Sequence, residues 1–379
     1  MTVPDDRCPG VFRTHPAADG RLARIRLPGG VIEAASLEAL AHAAEEFGDG
    51  AIEMTVRGNL QVRAIADEDT DAFAAAMTDA GLVSTSAHDL VRNIAVSAFT
   101  GRVGGRSDLR PVAAGLNDAL IAAPWAAGLS GRFWFGLDDG RGDVLARAAD
   151  VTGVALGPAS GIVVVDGEAV GAPVPLHELA HAMLTAAAQF VAVADGSWRV
   201  RDLSAAQRES LIGRLGRARV TVPEPCAPDP RVGWFDQHDG EVLLGAVLPF
   251  GRITAEQARF AAAIGGPVVV TPERELLFGD LDEAVADTVI RVLAPLGFVF
   301  DARSPWVALS ACTGSPGCDK SHADVRGDLT AYVGRLDPES ADLHGREHWV
   351  GCDRGCGSPG PPHVRFAATP DGYVRSRRN

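Results

Sequence analysis

Four cysteines in the last fifth of the sequence have the residue type and spacing to do chemistry. Cys312 and Cys318 have five residues between them, and Cys352 and Cys356 have three. Thiolates at paired spacings form disulfides, hold zinc or bind iron–sulfur clusters. A gap of five exceeds the two to four residues typical of zinc knuckles, and the many flanking glycines suit close backbone approach to a cluster. The spacing favours a [4Fe–4S] cluster, with zinc and disulfides left open as alternatives.

The overall composition narrows the class of protein. A chain of 379 residues is too long for one core, so we expect several domains. The net charge of −14 argues against nucleic acid and anionic membrane surfaces as partners, because both require a basic face. No apolar run approaches the roughly 18 residues of a membrane span, and no signal peptide is recognised. We therefore expect a cytoplasmic protein, in which disulfides are disfavoured.

The chain reads as two similar halves joined by a proline-rich linker at 222–230. IRLPGGVIEAASLEALAHAAEEFG resembles AVLPFGRITAEQARFAAAIGG, AIEMTVRGNLQVRAI resembles PVVVTPERELLFGDL, and RNIAVSAFTG resembles PWVALSACTG. The three matches keep their order, which predicts one duplicated α/β unit. In the third match Phe99 stands where the second half has Cys312, so only the second half is expected to keep the metal chemistry.

Local patterns predict one matched helix in each half. An apolar stripe at helical spacing runs from Leu37 to Phe47, and Gly48 is a suitable stop. In the second half, Thr254 and Gln257 form a capping-box pattern ahead of the corresponding helix.

These motifs together carry a family resemblance. The C-x5-C and C-x3-C cysteines follow RLPGGV, TVRGNLQVR, VRNI and GRFWFGLDD in the first half. In this order they are similar to the sirohaem-type nitrite and sulfite reductase superfamily, from about residue 8 onward. The stretches ACTGSPGC, GCDRGCGSPGP and DDGRGDV, and the short length, most resemble its precorrin-3B synthase subgroup.

The resemblance implies an α+β fold with a duplicated nitrite/sulfite reductase-like architecture. Two ferredoxin-like half-domains and two larger α/β sirohaem-domain-like units are expected. The predicted bounds are 8–82 for the first ferredoxin-like half-domain, 85–220 for the first reductase-like domain on the tetrapyrrole side, 221–231 for the linker, 232–300 for the second half-domain, and 303–379 for the second reductase-like domain with the cluster.

The same resemblance implies a monooxygenase of aerobic cobalamin biosynthesis. Its substrate would be precorrin-3A, which O2 hydroxylates before a γ-lactone closes. Cys312, Cys318, Cys352 and Cys356 would bind the [4Fe–4S] cluster, and the family is known for an additional non-haem iron as well. No dinucleotide fingerprint follows a strand, so we expect electrons from a donor protein or an NADH-linked reductase. The alternative is a sirohaem-dependent nitrite or sulfite reductase, in which Cys356 would also bridge to sirohaem.

Tetrapyrrole carboxylates require cationic partners, and planar arginine suits them best. The family motifs place candidate substrate-binding residues at Arg26, Arg57, Arg63, Arg92, Arg132 and Trp134. Sulfite reductases tend to carry lysines at the positions of the last two. The indole of Trp134 offers a flat apolar face to a macrocycle. The alternative interpretation, which has equal support, is that Trp134 is an ordinary residue of the hydrophobic core.

Histidines offer two further possibilities. HELAH, with His177, Glu178 and His181, matches a zinc-protease motif, but no third ligand follows, so this rival function is weak. His322, His344 and His348 lie near the cysteines in sequence and are candidate ligands of the second iron, but no spacing pattern supports this and they are interpreted as surface residues. Catalytic residues and the ligands of a second iron stay unassigned.

Overall fold

The computed structural model describes residues 6–336 and 345–378. The α-helices are α1 (Ala34–Phe47), α2 (Thr70–Asp79), α3 (Arg110–Ala122), α4 (Leu176–Val193), α5 (Ala205–Leu215), α6 (Ala255–Ala262), α7 (Glu283–Leu293) and α8 (Val325–Val333). The strands are β1 (His15–Ala17), β2 (Gly20–Ile25), β3 (Val31–Ile32), β4 (Ala51–Met54), β5 (Leu60–Ile65), β6 (Ile94–Val96), β7 (Phe135–Asp138), β8 (Val151–Ala155), β9 (Ser160–Val165), β10 (Glu168–Pro175), β11 (Gly233–Asp236), β12 (Val242–Val247), β13 (Arg252–Thr254), β14 (Val268–Val270), β15 (Glu275–Leu281), β16 (Leu309–Ala311), β17 (Glu347–Val350), β18 (His363–Thr369) and β19 (Gly372–Arg378). Across these ranges, no helix has the length and apolar character needed to cross a membrane.

Two antiparallel sheets share one hydrophobic core. Sheet 1 has the order β1-β2-β5-β4-β13 and sheet 2 the order β11-β12-β15-β14-β3. Each half lends a short strand to the other sheet, with Ile253 opposite Ile52 in sheet 1 and Ile32 opposite Val268 in sheet 2. The strands are exchanged and the core is continuous. The two half-domains are therefore separate in sequence but fold as one unit.

The matched helices α1 and α6 pack against each other over these sheets. Leu37 and Leu40 of α1 are buried, and each such side chain stabilises the fold by about 1.5–3 kcal/mol. The helix ends at Phe47, as the apolar stripe predicted. The capping box of Thr254 and Gln257 is also present, with both reciprocal hydrogen bonds formed.

Two further sheets repeat a second topology. In sheet 3, β6, β7 and β8 are parallel, and β9 and β10 follow antiparallel. In sheet 4, β16, β17 and β18 are parallel and β19 is antiparallel. Sheet 3 packs on α3 and α4, whereas sheet 4 has a small core around Trp349, which stacks on Phe366 with ring centroids 4.8 Å apart. The predicted α+β class with a duplicated architecture is confirmed.

Unusual backbone conformations also recur at matched positions, which ties the two halves together residue by residue. The pairs with positive φ are Gly29 and Phe250 (73° and 64°), Gly30 and Gly251 (74° and 63°), Gly58 and Arg274 (66° and 64°), Ala64 and Asp280 (58° and 61°), and Gly101 and Gly314 (72° and 72°). Residues other than glycine rarely adopt a positive φ. Their recurrence shows that the same turns are built twice from different residues.

Candidate functional site

The four cysteines lie on the two loops that leave sheet 4 at one edge. Cys312 follows β16, and Cys352 and Cys356 follow β17, its parallel neighbour. Parallel strands end at the same edge of a sheet, so the two loops meet. The N–H of Cys312 donates to Trp349 O at 2.9 Å, and the N–H of Gly351 donates to Cys312 Sγ at 3.2 Å.

All four cysteine side chains line one cavity. Burial raises the pKa of the Cys312 thiol, and the nearby Cys356 and Cys318 raise it further. Burial likewise raises the pKa of Cys356, together with Cys352 and Cys318. Cys312 and Cys356 thus interact with thiols of both loops, and the four cysteines lie together in space.

The spacing of the sulfurs bears on which metal group fits. Among the residues with described positions, no three cysteine Sγ atoms lie within 4.8 Å of one another. A single tetrahedral zinc, with Zn–S near 2.3 Å, needs sulfurs roughly 3.8 Å apart. The thiols therefore surround more space than one ion requires. Four thiols with backbone N–H donors beside them fit the donor set of a [4Fe–4S] cluster.

The cavity has a volume of about 680 Å³ and lies between these loops and the outer face of sheet 1. The floor of the cavity is the outer face of sheet 1, and it is mostly polar. Alternate residues on each strand point to opposite faces of the sheet, and the polar ones point to the cavity. Arg24 on β2, Glu53 on β4, and Gln61 and Arg63 on β5 face the cavity, whereas the residues between them face the shared core. Arg24 was missed from the sequence, although its alternation with buried Ala23 and Ile25 could have identified it.

Two of the cavity arginines are already paired. Arg63 forms a bidentate ion pair with Asp19, with both N···O distances at 2.9 Å, and donates to Gly317 O at 2.8 Å. Arg326 pairs with Glu53 and so joins α8 to sheet 1. These two side chains fasten the first cysteine loop, and the helix α8 that follows it, to sheet 1.

Three other cavity arginines, Arg24, Arg57 and Arg274, form no ion pair within the described part of the chain. Burial lowers the pKa of Arg57 to about 10 and also lowers the pKa of Arg24 and Arg274. The Nε–H groups of Arg24 and Arg274 are buried without a partner. A buried cation without a counter-ion is costly, so this cavity is arranged to receive an anionic ligand.

The predicted substrate-binding residues divide into two groups. Arg57 and Arg63 line the cavity, whereas Arg26, Arg92, Arg132 and Trp134 are not among its lining residues. Arg57 also approaches a member of the second group, because its guanidinium carbon is 5.2 Å from the centre of the Trp134 ring.

The second group has contacts elsewhere in the protein. Arg26 is 1% exposed and donates to Asn93 Oδ1 and Pro9 O. Arg92 donates to Leu82 O at 2.8 Å. The other two residues pack on apolar neighbours. Arg132 lies 4.1 Å above the Trp198 ring, and Trp134 packs among Ala95, Val144 and Ala149.

His348 is buried, so its interpretation as a surface residue was wrong. It belongs to β17, an inner strand of a parallel sheet, where both faces are covered. Its Nε2 is 3.0 Å from Cys356 O and its Nδ1 is 2.9 Å from Ser310 Oγ. A carbonyl only accepts, so Nε2 carries the proton and Ser310 donates to Nδ1. Burial and the charge of Arg274 lower the pKa of His348 to about 3, which keeps the ring neutral.

The other candidate histidines that the structure describes give no second site. His322 is exposed, and His344 lies outside the described residues. In the HELAH motif on α4, the His177 and Glu178 side chains are 80% and 59% exposed. The groups of potential metal ligands found in the described ranges do not include this motif. A protease therefore has no structural support.

Known proteins resemble this chain at three levels. Residues 15–80 match the family model of the nitrite/sulfite reductase ferredoxin-like half domain. The chain is 27% identical over 385 residues to a precorrin-3B synthase of Sinorhizobium sp, with 97% of this chain and 81% of that protein covered. It is 28% identical over 397 residues to a ferredoxin–nitrite reductase of Synechococcus elongatus, with 92% and 76% covered. The structure of Mycobacterium tuberculosis NirA superposes with a TM-score of 0.71 at 21% identity, covering 94% of this chain and 73% of that one.

These similarities confirm the nitrite/sulfite reductase-type resemblance predicted from the motifs, and NirA shares the fold. The named relatives are oxidoreductases, which supports an oxidoreductase here. The synthase and the nitrite reductase are about equally similar to this chain, so identity alone does not choose between their reactions.

Proposed function

We propose that this protein of nitrite/sulfite reductase type is a precorrin-3B synthase-type monooxygenase of aerobic cobalamin biosynthesis. It would hydroxylate precorrin-3A with O2 and form the γ-lactone, using a [4Fe–4S] cluster bound by Cys312, Cys318, Cys352 and Cys356. The observation that carries this proposal is that one cavity joins four thiols to three partly buried arginines, Arg24, Arg57 and Arg274, that form no ion pair within the described residues.

The cavity suits a ligand that is flat, large and anionic at its rim. Its volume of about 680 Å³ lies within the range typical of sites for sizeable organic ligands. Arg24, Arg57 and Arg274 approach it from different elements, so their guanidinium groups can bind carboxylates around a ring rather than one small anion. Each charge-assisted hydrogen bond to such a carboxylate contributes about 1.5–3 kcal/mol.

The chemistry divides between the bound groups and the chain. When bound, a [4Fe–4S] cluster supplies single electrons; the chain holds it and tunes it by hydrogen bonds such as Gly351 N–H to Cys312 Sγ. One oxygen atom of O2 would enter the substrate, and the other would leave as water after reduction by a donor protein or an NADH-linked reductase. The ligands of any additional non-haem iron stay unassigned. The thiols require a reducing compartment, for which we propose the cytoplasm.

A sirohaem-dependent nitrite or sulfite reductase is the second candidate. The Synechococcus nitrite reductase supports this candidate, because it is 28% identical to this chain and the synthase is 27% identical. The same arginines would then hold the carboxylates of a resident cofactor instead of a substrate, and Cys356 would stand nearest to it.

Turnover with the two classes of substrate separates the candidates. Anaerobically purified protein is incubated with precorrin-3A, a reductant and isotopically labelled O2, and the product is analysed by mass spectrometry. We expect one labelled oxygen atom in the product and none without O2. Purified protein that shows sirohaem absorption bands and reduces nitrite or sulfite, without labelling precorrin-3A, would establish the second candidate instead.

A further inference from the structure

We infer that Arg274 connects the cavity to the cluster-binding loop. Its free Nε edge takes a carboxylate of the cavity ligand, while its Nη2 holds the backbone just after Cys356. Ligand binding would thereby alter the surroundings of the bound cluster. The inference rests on the proposed function only in requiring that the cavity ligand carries carboxylates.

The backbone at Arg274 is the first indication of a special role. Its φ is 64°, in the left-handed region, and the matched residue in the first half is Gly58, with φ 66°. Glycine adopts this conformation without steric cost, whereas a side chain with a Cβ does not. The second half thus places a long cationic side chain at a turn that the first half builds with glycine. Strained positions of this kind concentrate at functional sites.

The surroundings of Arg274 are shaped to admit its side chain. A Cβ on Gly251 would lie 2.5 Å from Arg274 Cδ, and a Cβ on Gly357 would lie 2.7 Å from its Nη2. A larger residue at either position would force the Arg274 side chain to shift. In this arrangement Arg274 lines the cavity and also reaches Gly357 O of the loop.

On the loop side, two neighbouring carbonyl groups are held by two different elements. Arg274 Nη2 donates to Gly357 O at 2.8 Å, and His348 Nε2 donates to Cys356 O at 3.0 Å. The peptide that follows the last cysteine is therefore clamped between β17 and the turn before β15. Hydrogen bonds and charge next to a cluster set its reduction potential.

Arg274 lines the cavity and has an unused donor. Its Nε–H is buried with no hydrogen-bond partner, and the described residues place no carboxylate in an ion pair with the guanidinium. A carboxylate at this edge would satisfy the donor and neutralise the charge. The hydrogen bond from Nη2 to Gly357 O would weaken or shift as a result, which transmits occupancy of the cavity to the residues beside Cys356.

The test uses uroporphyrin, a stable tetrapyrrole with a carboxylate rim, and the cluster-loaded full chain. Binding is measured by quenching of porphyrin fluorescence, and the cluster by its electron paramagnetic resonance spectrum and reduction potential with and without ligand. Arg274→Gly is the main variant, because Gly58 shows that glycine fits this turn. Arg24→Gln removes a cavity arginine that donates to Gln61 and forms no hydrogen bond with the described cysteine-loop residues, and Arg303→Gln changes an exposed arginine on the surface.

We expect uroporphyrin to shift the cluster spectrum and potential of the unmodified protein. Arg274→Gly should keep its iron and sulfide, bind the tetrapyrrole on the order of 10-fold more weakly, and show no shift at saturation. Arg24→Gln should bind more weakly but keep the full shift at saturation, and Arg303→Gln should behave as the unmodified protein.

The contrary outcomes separate this inference from the proposed function. A shift retained in saturated Arg274→Gly, or binding to the unmodified protein without any shift, overturns the connection and leaves the cavity ligand standing. No binding to the unmodified protein overturns both. Should Arg274→Gly fail to load the cluster, Arg274→Lys keeps a donor for Gly357 O but lacks the Nε edge, and the same comparison applies to it.

Discussion

The outer faces of sheets 1 and 2 have the same backbone and opposite chemistry. Their registers correspond, since Arg24 lies opposite Gln61 in sheet 1 just as Gly245 lies opposite Leu277 in sheet 2. The residues that face outward on sheet 1 are Arg24, Glu53, Gln61 and Arg63, and their counterparts on sheet 2 are Gly245, Val269, Leu277 and Gly279. A polar floor in one copy is thus apolar or absent in the other.

The loops that cover the two faces differ in the same way. Over sheet 1 the cysteine loops leave a cavity of about 680 Å³. Over sheet 2, Phe99 occupies the position that Cys312 has in the other copy, and it packs against Leu277 and Val269. Its ring lies 4.8 Å from that of Phe235. An aromatic side chain therefore closes the second place where a site could have formed.

The counterparts of the later cysteines complete this contrast. When DGRGDVL is matched to CDRGCGS, at the same offset that relates Phe99 to Cys312, Asp139 and Asp143 stand where Cys352 and Cys356 do. Asp139 pairs with Arg141 at 2.7 Å, and Asp143 pairs with Arg231 at 2.8 Å. Both buried carboxylates thus have an arginine as counter-ion, which the cysteine thiols on the other copy do not. The duplicated halves thus contain two equivalent frames, each a sheet with the loops that cover it. The functional frame is sheet 1 with the cysteine loops, and the packing frame is sheet 2 with the loops that carry Phe99, Asp139 and Asp143.

The largest effect should follow from removing the thiol at the functional frame. We expect Cys312→Ser to lose the cluster and all activity while the protein stays folded, because sheets 1, 2 and 3 do not depend on that loop. Iron and sulfide analysis measures the loss of the cluster, and circular dichroism measures whether the protein stays folded. Cys226→Ser, at an exposed thiol, is the matched control. Full iron, sulfide and turnover in Cys312→Ser would refute the assignment of the cluster ligands.

The converse change at the packing frame should cost stability and leave the cluster intact. Phe99→Ala removes a partly buried ring from its apolar neighbours, so we expect the free energy of unfolding to fall by about 2–3 kcal/mol. Denaturant unfolding and iron content measure the two effects. Phe12→Ala, at a ring that is 45% exposed, should change stability far less. Loss of the cluster in Phe99→Ala without loss of stability would contradict the division of roles.

Arg63 should affect the cluster indirectly, through the loop that carries Cys318. Arg63→Gln breaks the pair with Asp19 and the bond to Gly317 O, at a cost of about 2 kcal/mol. We expect the cluster to be lost faster to an iron chelator, because the loop is held less firmly. Arg21→Gln, in an exposed ion pair of the same sheet, is the control. Equal rates in the two variants would remove the fastening role from Arg63.

The smallest effect concerns Glu53 and its dependence on pH. Burial alone would raise the pKa of Glu53, but Arg326 and Gln61 hold it below its ordinary value. The contribution to stability is therefore present above about pH 4.3 and is lost as pH falls through the lower folded-state pKa. We expect Glu53→Gln to lower stability by about 1 kcal/mol at pH 7 and by less in acid. Thermal melts from pH 7 to pH 3 follow the difference, and a gap that widens in acid would contradict this linkage.

Local signals explain most of what the sequence predicted. Helix stripes, a capping box and the order of motifs were sufficient for α1, α6 and the duplicated α+β class. The cysteines lie together because Cys312 follows β16, whereas Cys352 and Cys356 follow β17. These two parallel strands end at the same edge of sheet 4. Strand alternation could also have distinguished Arg24, which faces the cavity, from Ala23 and Ile25, which face the core.

Other features depend on long-range structure that local patterns do not carry. The exchange of β3 and β13 between sheets joins residues that are far apart in the chain, such as Ile32 and Val268. Arg274 depends on a left-handed turn and two distant glycines, and the burial of His348 on strands either side of β17. Arg26 and Arg92 belong to family motifs, as Arg57 and Arg63 do, but they donate to backbone carbonyls away from the cavity, because motif membership does not state which way a side chain points.

Anomalous diffraction at the iron and zinc edges, from anaerobically grown crystals, tests the contrast between the two frames most directly. We predict strong iron density enclosed by Cys312, Cys318, Cys352 and Cys356, with no metal density at the matched position beside Phe99, Asp139 and Asp143. Zinc at the cysteines, or iron at the frame that contains Phe99, would contradict the account.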